Sequence, residues 1–419
     1  MSMKVKWILL IGLISLMIIV AGCGLTPGKS IAGEAKRDFD KSQYPIDKSQ
    51  NSLQRNTKIM SGCYFDFECA PGQICEGGKQ TRNPKYSTLG TCVTPKKVPQ
   101  PEVCTSIVFA DKNLEWGIKQ QLNIPPDHPV CAEKVKEVKE LSLSLLGIGD
   151  LQGLEYFTGL QILAVDTNKL TTLIPLANLK NLKDLNAGMN QIDSVAALKS
   201  LTNLQTLDLT SNKVSDITPL KELVNLETLS LGFNTINSIA ALQDLNQLKS
   251  LNLVHNQVTD ISALSGKVKL EEVHLGSNKV SMINSLAGLQ SLHWLFLSDN
   301  QIKDITPLKG LKKIDALFLE QNQITDITAL SLLVNLKGLY IGENMVSTVT
   351  PLKDATKIQI LGLNNNQIKD LGPLHGIFNM QQLSLGNNPV QYTAEVCVFM
   401  KEWKNKGALI DGFDFKKCP

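Results

Sequence analysis

The sequence predicts an α/β-type solenoid: a stack of short coils with a curved parallel β-sheet on its concave side and 3₁₀ or short helical turns on its convex side. The main observation is an asparagine that recurs every 22 residues without interruption. An unbroken period of this kind indicates one structural unit repeated many times, in which each copy buries its apolar face against its neighbours. The asparagines are Asn168, Asn190, Asn212, Asn234, Asn256, Asn278, Asn300, Asn322, Asn344, Asn366 and Asn388.

The strands follow from a second observation, the apolar pairs that precede each asparagine. Leu207 and Leu209, five and three residues before Asn212, are typical of the array. One residue separates the two members of each pair, which is the period of a short strand with one buried face. Twelve such strands are predicted between 141 and 385. Because parallel strands lie about 4.8 Å apart, the sheet extends roughly 50 Å along the array.

The asparagine ladder has a physical purpose at the end of each strand. The chain turns sharply there and leaves backbone N–H and C=O groups without partners. An inward amide can donate and accept at once, so we expect it to satisfy such groups in its own coil and in the next one. One period before Asn168 lies Leu146, so the first coil lacks the amide, as expected for a terminal unit.

The convex side of each coil is predicted from proline positions. Proline follows the asparagine by seven residues in five coils, and in three of them it follows a threonine, as in Thr218–Pro219. The threonine hydroxyl is expected to be the N-cap, with proline at the first helical position. A coil of 22 residues is too short for a full α-helix in addition to its strand, which favours a 3₁₀ turn.

The repeating pattern L-x-L-x-x-N-x-I-x-x-I-x-x-L is present almost throughout residues 141–390. It resembles the short leucine-rich repeats of bacterial internalin-type surface proteins. This resemblance implies a leucine-rich repeat solenoid of about eleven or twelve coils, and it implies protein recognition. The fold alone does not decide the function.

Cap regions are expected on both sides of the array, because an uncovered solenoid end would expose apolar surface. Residues 104–140, with Asp111 as a candidate N-cap before Leu114 and Ile118, resemble the helical N-terminal cap of internalin-type proteins. Residues 391–419 contain an amphipathic stretch, 393–406, and form the predicted C-terminal cap. We expect disulfide-bonded caps with two pairs, Cys104–Cys131 and Cys397–Cys418.

The first 22 residues are predicted to be a signal peptide. Lys4 and Lys6 precede an apolar run, and small residues lead to Cys23, which looks like the lipidated cysteine of a bacterial lipobox. The alternative, an uncleaved membrane anchor, is disfavoured because the run of about fourteen residues is short for a full span. By resemblance to lipoprotein sorting rules, Gly24 after the lipid site favours the outer membrane if the cell has two membranes. We therefore expect an exported, membrane-anchored lipoprotein at the outer membrane or the cell surface.

Two segments separate the lipid site from the array. Residues 23–62 are polar and are predicted to form a flexible tether. Residues 63–103 are expected to form a small cysteine-rich module. Disulfides are favoured over a zinc site because the cysteines lack the close spacing of zinc ligands, and the pairing among three alternatives stays open. The four cysteines are Cys63, Cys69, Cys75 and Cys92.

The candidate binding site lies on the solvent-facing strand positions, six, four and two residues before each asparagine. Most of these residues are small or polar, but aromatic residues concentrate between 272 and 340. Adjacent strands would place them side by side in one patch with an acidic rim. The patch comprises His274, Trp294, Phe296, Phe318 and Tyr340, with Glu272, Asp299, Glu320 and Glu343 at the rim.

Three interpretations of this patch are open. Exposed aromatics with a charged rim are typical of a protein-binding hot spot, which we favour. The rings could instead only stabilise the sheet through cross-strand pairs. Carbohydrate binding by ring stacking is the third interpretation. The acidic rim suggests a partner with a basic or mixed surface.

Catalysis, metals and nucleic acids are disfavoured. His255, His274 and His293 recur every 19 residues, but each step moves one coil along the array and three residues back along the strand, about 10 Å, so they cannot share one ion. No cofactor, small-molecule substrate or enzymatic activity is predicted. A net charge of +3, from 42 basic and 39 acidic residues, predicts no general affinity for nucleic acid.

The sequence thus predicts an envelope-anchored leucine-rich repeat lipoprotein that recognises a macromolecular partner, as an adhesin, through its concave face. The alternative is a structural or inhibitory periplasmic lipoprotein that binds an envelope protein, or a carbohydrate-binding surface protein. Protease shaving of intact cells would separate surface display from a periplasmic location.

Overall fold

The computed structural model describes residues 104–419 and two short strands that precede them. The chain divides into two compact units, Met1–Val98 and Pro99–Pro419. In the first, β1 (Ile74–Glu76) pairs with β2 (Thr91–Val93) in an antiparallel arrangement. Backbone register places the Cα atoms of Cys75 and Cys92 opposite each other.

Several predicted features lie outside the described residues. These are the signal peptide 1–22, Cys23, the tether 23–62, and the side chains of Cys63, Cys69, Cys75 and Cys92. Within the described residues, no helix combines the length and the apolar character that crossing a bilayer requires.

The second unit is built on one parallel sheet of thirteen strands in sequence order. Consecutive array strands pair residues 22 positions apart, as Trp294 does with Ala316. Twelve strands belong to the array, in agreement with the predicted number. They are β3 (Glu140–Ser142), β4 (Ile162–Ala164), β5 (Asp184–Asn186), β6 (Thr206–Asp208), β7 (Thr228–Ser230), β8 (Ser250–Asn252), β9 (Glu272–His274), β10 (Trp294–Phe296), β11 (Ala316–Phe318), β12 (Gly338–Tyr340), β13 (Ile360–Gly362) and β14 (Gln382–Ser384).

Short 3₁₀ helices form the convex side, as predicted. Each follows its strand after a turn and places one leucine in the core, as Leu308 does in Thr306–Gly310. The array contains Leu154–Tyr156, Ile174–Leu176, Ala196–Leu198, Thr218–Glu222, Ala240–Leu242, Ser262–Leu264, Asn284–Leu286, Thr306–Gly310, Thr328–Leu332, Thr350–Leu352 and Gly372–Gly376.

The predicted threonine N-cap of these helices is wrong. The helix at Thr218 has Ile217 at the cap position and no side-chain capping bond there. Instead, the carboxylate of Asp216 accepts a hydrogen bond from the backbone N–H of Thr218 at 2.8 Å, and Asp304 does the same for Thr306. An aspartate two residues before the helix forms an Asx turn. Its carboxylate accepts the hydrogen bond from the first N–H of the helix, so the threonine hydroxyl is not needed as a cap.

A single apolar core runs the length of the array. Leucine, isoleucine and valine from the strand, the turn and the 3₁₀ helix of each coil are fully buried, as are Leu207, Val214 and Leu220 in one coil. Each coil therefore contributes the same inward set and buries it against its two neighbours, as expected for a solenoid.

The ladder asparagines connect neighbouring coils. The Nδ2 of Asn256 donates to the carbonyl of Leu253 in its own coil at 3.1 Å and to that of Leu231 at 3.0 Å, while its Oδ1 accepts from the N–H of Ile236 at 2.9 Å. All eleven asparagines repeat this arrangement. The neighbour that each one contacts is the preceding coil, not the following one as the sequence suggested.

A second, shorter row of asparagines joins the coils near the convex turns. The Nδ2 groups of Asn181, Asn203 and Asn225 each donate to a backbone carbonyl of the preceding coil at 2.8–2.9 Å. Asn335 repeats the bond to Lys312. These residues lie thirteen positions after ladder asparagines, so a search for any second residue in constant phase would have found them.

The N-terminal cap contains α1 (Lys112–Gln121) and α2 (Ala132–Val135), and the disulfide Cys104–Cys131 closes it as predicted. Asp111 is the N-cap of α1, with its carboxylate bonded to the N–H groups of Asn113 and Leu114, and it also accepts from the N–H of Gly149 in the first coil at 2.6 Å. The cap helix is thereby tied to the array.

Gln121 covers the open edge of the first strand. Its side-chain amide exchanges hydrogen bonds with the backbone N–H and C=O of Ser142 in β3. Those groups would otherwise be an unpaired sheet edge, which promotes aggregation.

The C-terminal cap consists of α3 (Ala394–Asn405), β15 (Leu409–Asp411) and a 3₁₀ helix (Phe415–Lys417), with the predicted disulfide Cys397–Cys418. The indole of Trp403 donates to the carbonyl of Ile377 at 2.7 Å and anchors α3 to the last coils. Strand β15 was not predicted. It pairs in parallel with β14 and continues the sheet.

Candidate functional site: the concave face

The concave face is formed by residues six, four and two positions before each ladder asparagine. In β10, for example, Leu295 is fully buried while Trp294 and Phe296 on either side face solvent. The predicted candidate residues of the strands therefore lie on one exposed surface, with positions fixed by the strand register.

Four aromatic rings form a continuous stack on this face. The ring of Phe296 lies 4.0 Å from that of His274 and 4.3 Å from that of Phe318, with interplanar angles of 13° and 12°. The ring of Tyr340 follows at 4.4 Å and 7°. We call these four residues and Trp294 the aromatic stripe. Stacking covers the ring faces, so His274, Phe296, Phe318 and Tyr340 are half-buried and present mainly their edges to solvent.

The stack has a defined end. After Tyr340 the same row continues with Gly362, and a Cβ there would lie 3.4 Å from the Tyr340 ring. The next row position therefore offers no side chain to extend the stack. The stripe is a bounded patch of four coils rather than a property of the whole sheet.

Trp294 is the most exposed member of the stripe, with 45% of its surface accessible. It lies in the row beside the stack, opposite Glu272 on one side and Ala316 on the other. Its row continues with Gly338. Ala316 and Gly338 are small, so the indole is left uncovered on that side, as is typical of an anchor that a partner can cover.

Two of the four predicted rim carboxylates lie on the concave face. Glu272 accepts from the ring Nε2 of His274 at 2.6 Å. Glu320 is half-buried and accepts from the hydroxyl of Ser298. Burial raises the pKa of Glu320 above its ordinary value, and the charge of Glu343 adds to this effect. Burial and the charge of Glu320 raise the pKa of Tyr340 in turn.

The other two rim residues, Asp299 and Glu343, lie on the turn that follows the strands. Both precede a ladder asparagine and have left-handed backbones, with φ values of 57° and 55°. Both are exposed, and Glu343 accepts from Gln321 at 3.0 Å. They border the concave face but do not belong to it.

A left-handed turn recurs in every coil of the array and was not among the features predicted from the sequence. The turn ridge comprises Leu145, Thr167, Met189, Ser211, Phe233, His255, Ser277, Asp299, Gln321, Glu343, Asn365 and Asn387, all with φ between 51° and 64°. Asparagine tolerates this conformation, whereas bulky side chains are strained in it. Even so, Leu145 and Met189 are there, 75% and 60% exposed.

The three histidines make separate contacts. His255 stacks on Phe233 at 4.4 Å on the turn ridge. His274 belongs to the stack, and His293 bonds Asp315 through Nδ1 at 2.9 Å. No group of three or more histidine, cysteine, aspartate or glutamate side chains suited to a metal ion occurs among the described residues.

The first coils of the concave face are polar. Asp166 accepts from the hydroxyl of Ser144 at 2.6 Å and from the amide of Asn186 at 2.8 Å. Asp208 accepts from the N–H of Thr210 at 2.8 Å, and burial together with the charge of Asp166 raises its pKa. These side chains satisfy one another and the adjacent backbone.

A buried lysine on the convex side was also not predicted from the sequence. Lys267 is 1% exposed and occupies a core position that is leucine in the coils before and after it, at Leu245 and Leu289. Its Nζ donates to the carbonyl of Gln243 at 3.0 Å and to the side-chain oxygen of Asn246 at 3.4 Å. Burial lowers its pKa. The break in the leucine phase at 267 was the available signal.

Comparison with known proteins agrees with this architecture. The sequence matches the family described as Leucine Rich repeats (2 copies) over residues 180–222, 202–247, 224–266, 246–288 and 290–332. The crystal structure of an internalin (inlF) from Listeria monocytogenes superposes with a TM-score of 0.71 and 30% identity, covering 75% of this chain and 94% of that one. The chain belongs to the internalin-like leucine-rich repeat proteins.

More distant structures are also similar. A leucine-rich repeat protein of Leptospira interrogans has 22% identity and a TM-score of 0.48, covering 66% of this chain and 85% of its own. The plant peptide hormone receptor RGFR1, solved in complex with RGF2, has 16% identity and a TM-score of 0.51, covering 63% and 52%. At 16% identity, the receptor and this chain share the fold alone. No curated protein sequence matches the chain.

Proposed function

We propose that this chain is a protein-binding leucine-rich repeat lipoprotein, anchored to the cell envelope through Cys23, which holds a macromolecular partner on its concave face as an adhesin. The observation that carries the proposal is the aromatic stripe. A bounded apolar patch on a rigid sheet with an exposed tryptophan and an acidic rim is typical of a protein-binding hot spot.

The stacking geometry favours a protein over a carbohydrate partner. Sugar rings bind flat against an aromatic face, but the faces of Phe296 and Phe318 are each covered by a neighbouring ring at 4.0–4.4 Å. The exposed ring edges and the Trp294 indole suit irregular apolar side chains instead. The stack also stabilises the sheet, so both roles fit the same rings.

Two further observations support a location outside the cytosol. The caps hold two disulfides, which persist in oxidising compartments. The basic and apolar N-terminal segment that leads to Cys23 is typical of an exported lipoprotein. A structural or inhibitory periplasmic lipoprotein remains the second candidate, and protease shaving of intact cells distinguishes it from a surface adhesin.

Affinity capture of envelope proteins by the full chain tests the proposal. Replacing Phe296, Phe318 and Tyr340 by serine, or Trp294 by alanine, should abolish capture of the partner. Ile162 occupies the same row as Trp294 on β4 and is also exposed, at 39%, so Ile162→Ala is the matched control and should capture normally. Circular dichroism should show the fold intact in every variant. Equal capture by all of them contradicts the proposal.

A further inference from the structure

The charge of the concave face differs from that of the chain as a whole. Basic and acidic residues are nearly balanced over the sequence, at 42 and 39. Among the described residues that lie six, four and two positions before each ladder asparagine, and at the same positions of the first coil, lysine and arginine are absent. The carboxylates there are Glu140, Asp166, Asp184, Asp208, Glu272 and Glu320.

Two lysines that directly precede strands in or next to this region are paired with carboxylates outside the face. Lys337 lies one position before β12 and bonds Asp315 at 2.7 Å. Lys249 lies one position before β8 and bonds Glu227 at 2.7 Å. These cations are therefore engaged with carboxylates of their own row and do not neutralise the face.

Glu320 is a rim carboxylate next to the aromatic stripe, and its side-chain donor is a neutral hydroxyl. It lies half-buried on the turn side of the ring stack, beside Tyr340, and the Ser298 hydroxyl is its side-chain donor. In the described part of the chain, no lysine or arginine forms an ion pair with it. A carboxylate that is partly removed from water without a counter-ion is unfavourable, and a cation supplied by a partner would relieve this.

We propose that the segment bound by the concave face presents a lysine or arginine to Glu320 and a large apolar side chain to Trp294. This inference rests on the proposed function and names the chemistry of its partner. A protein segment is the occupant that fits, because the indole and the ring edges require apolar groups on the same ligand as the cation.

The register sets the spacing of the two anchors. Glu320 lies one coil beyond Trp294 and four residues further along the strand direction, which corresponds to about 14 Å at ~3.3 Å per residue and ~4.8 Å between strands. An extended segment spans this distance in about four residues. Its residues i and i+4 point to the same side. The cation and the apolar anchor should therefore lie four positions apart, with the segment crossing the ring stack.

Selection of a random twelve-residue peptide-display library on the full chain tests the inference. Enriched peptides should carry lysine or arginine four positions from an aromatic or large aliphatic residue. Glu320→Gln keeps an oxygen for Ser298 and should weaken their binding about 30-fold, as expected when one partner of a desolvated charge pair is removed. Asp184→Asn removes the same charge from the same face five coils from Trp294 and should change the Kd less than about twofold.

The outcomes separate this inference from the proposed function. The inference is overturned if the enriched peptides lack a lysine or arginine, or if they bind the Glu320→Gln variant as tightly as the wild-type chain. The proposed function still stands in that case if the same peptides do not bind the aromatic triple serine variant. Peptides that still bind the triple variant contradict both. Failure to enrich any peptide on the wild-type chain also overturns the inference.

Discussion

Strands β4–β7 and strands β9–β12 share one backbone and differ in the row four residues before the ladder asparagine. In the first region Asn186 and Asp208 lie in this row and use their polar atoms on neighbouring side chains and backbone. In the second region the row holds the four stacked rings. In the polar region the side chains form hydrogen bonds with one another and with the adjacent backbone. In the aromatic region the apolar ring edges and Trp294 stay exposed. The repeat therefore forms the scaffold, and the side chains four residues before the ladder asparagine distinguish the candidate site from the rest of the face.

The largest expected effect tests whether the scaffold is equal in the two regions. Asn234 and Asn300 are both buried and make the same bonds to their own and the preceding coil. Replacing either by alanine should lower the apparent free energy of unfolding by about 3 kcal/mol, because buried backbone groups lose their partners. Urea unfolding followed by circular dichroism measures both. Losses in the free energy of unfolding that differ between the two variants by more than about 1.5 kcal/mol would contradict a common scaffold.

A smaller effect is expected from the ring stack. Phe318 contacts rings on both sides, so Phe318→Ser should cost about 2 kcal/mol, since each stacked pair contributes roughly 0.5–1.5 kcal/mol beyond its buried area. Ser230→Ala, at the same offset in the polar region, should cost less than about 0.5 kcal/mol. Thermal unfolding compares the two. Equal costs would mean that stacking does not stabilise the sheet.

Lys267 lies in the coil that leads into the aromatic region. Lys267→Leu restores the leucine of the neighbouring coils and should raise stability by about 1 kcal/mol, because a buried charge is replaced by apolar packing. Lys199→Leu, at an exposed site, is the control and should have no effect. If Lys267→Leu is instead destabilised, the two hydrogen bonds of the ammonium group contribute more to stability than apolar packing would.

The turn ridge should give an effect of similar or smaller size. Met189→Asn places a residue suited to the left-handed backbone at φ 52° and should stabilise the chain by about 0.5–1 kcal/mol. Met345→Asn makes the same chemical change at a position without a left-handed backbone and should not stabilise. A gain in both variants would show that backbone strain is not the cause.

The raised pKa values of two carboxyl groups, one in each region, predict that the stability of the fold depends on pH. Burial raises the folded-state pKa of Asp208 and of Glu320, so the folded chain holds protons that the unfolded chain releases first. Each group therefore destabilises the fold as pH rises above the ordinary carboxyl range. Asp208→Asn and Glu320→Gln should stabilise the chain at pH 7, and this gain should shrink towards pH 4. A gain that does not depend on pH would contradict the assignment.

Prediction from sequence succeeded where a residue type kept a constant phase. The leucine pairs and the asparagine ladder predicted twelve array strands and the 3₁₀ helices, and the cysteines flanking the array predicted both cap disulfides. Strand β15 escaped because it lies in the cap, outside the repeat. The turn ridge escaped because its common property is a backbone angle, which side chains as different as Leu145 and Glu343 share.

The sequence predicted which residues form the candidate site, but it did not predict how their side chains are arranged. Offsets placed His274, Phe296, Phe318 and Tyr340 side by side, as the register has them. Sequence could not show that the rings cover one another's faces, which depends on side-chain rotamers. It also could not show that Asp299 lies on a left-handed turn rather than on the sheet.

Site-specific photo-cross-linking tests the central claim most directly. A photoreactive phenylalanine analogue in place of Trp294 should cross-link the full chain to one defined protein in intact cells. The same residue at Val268, which is exposed on the convex side, should give no such product. A product from Val268 but none from Trp294 would contradict the claim that the aromatic stripe is the binding site.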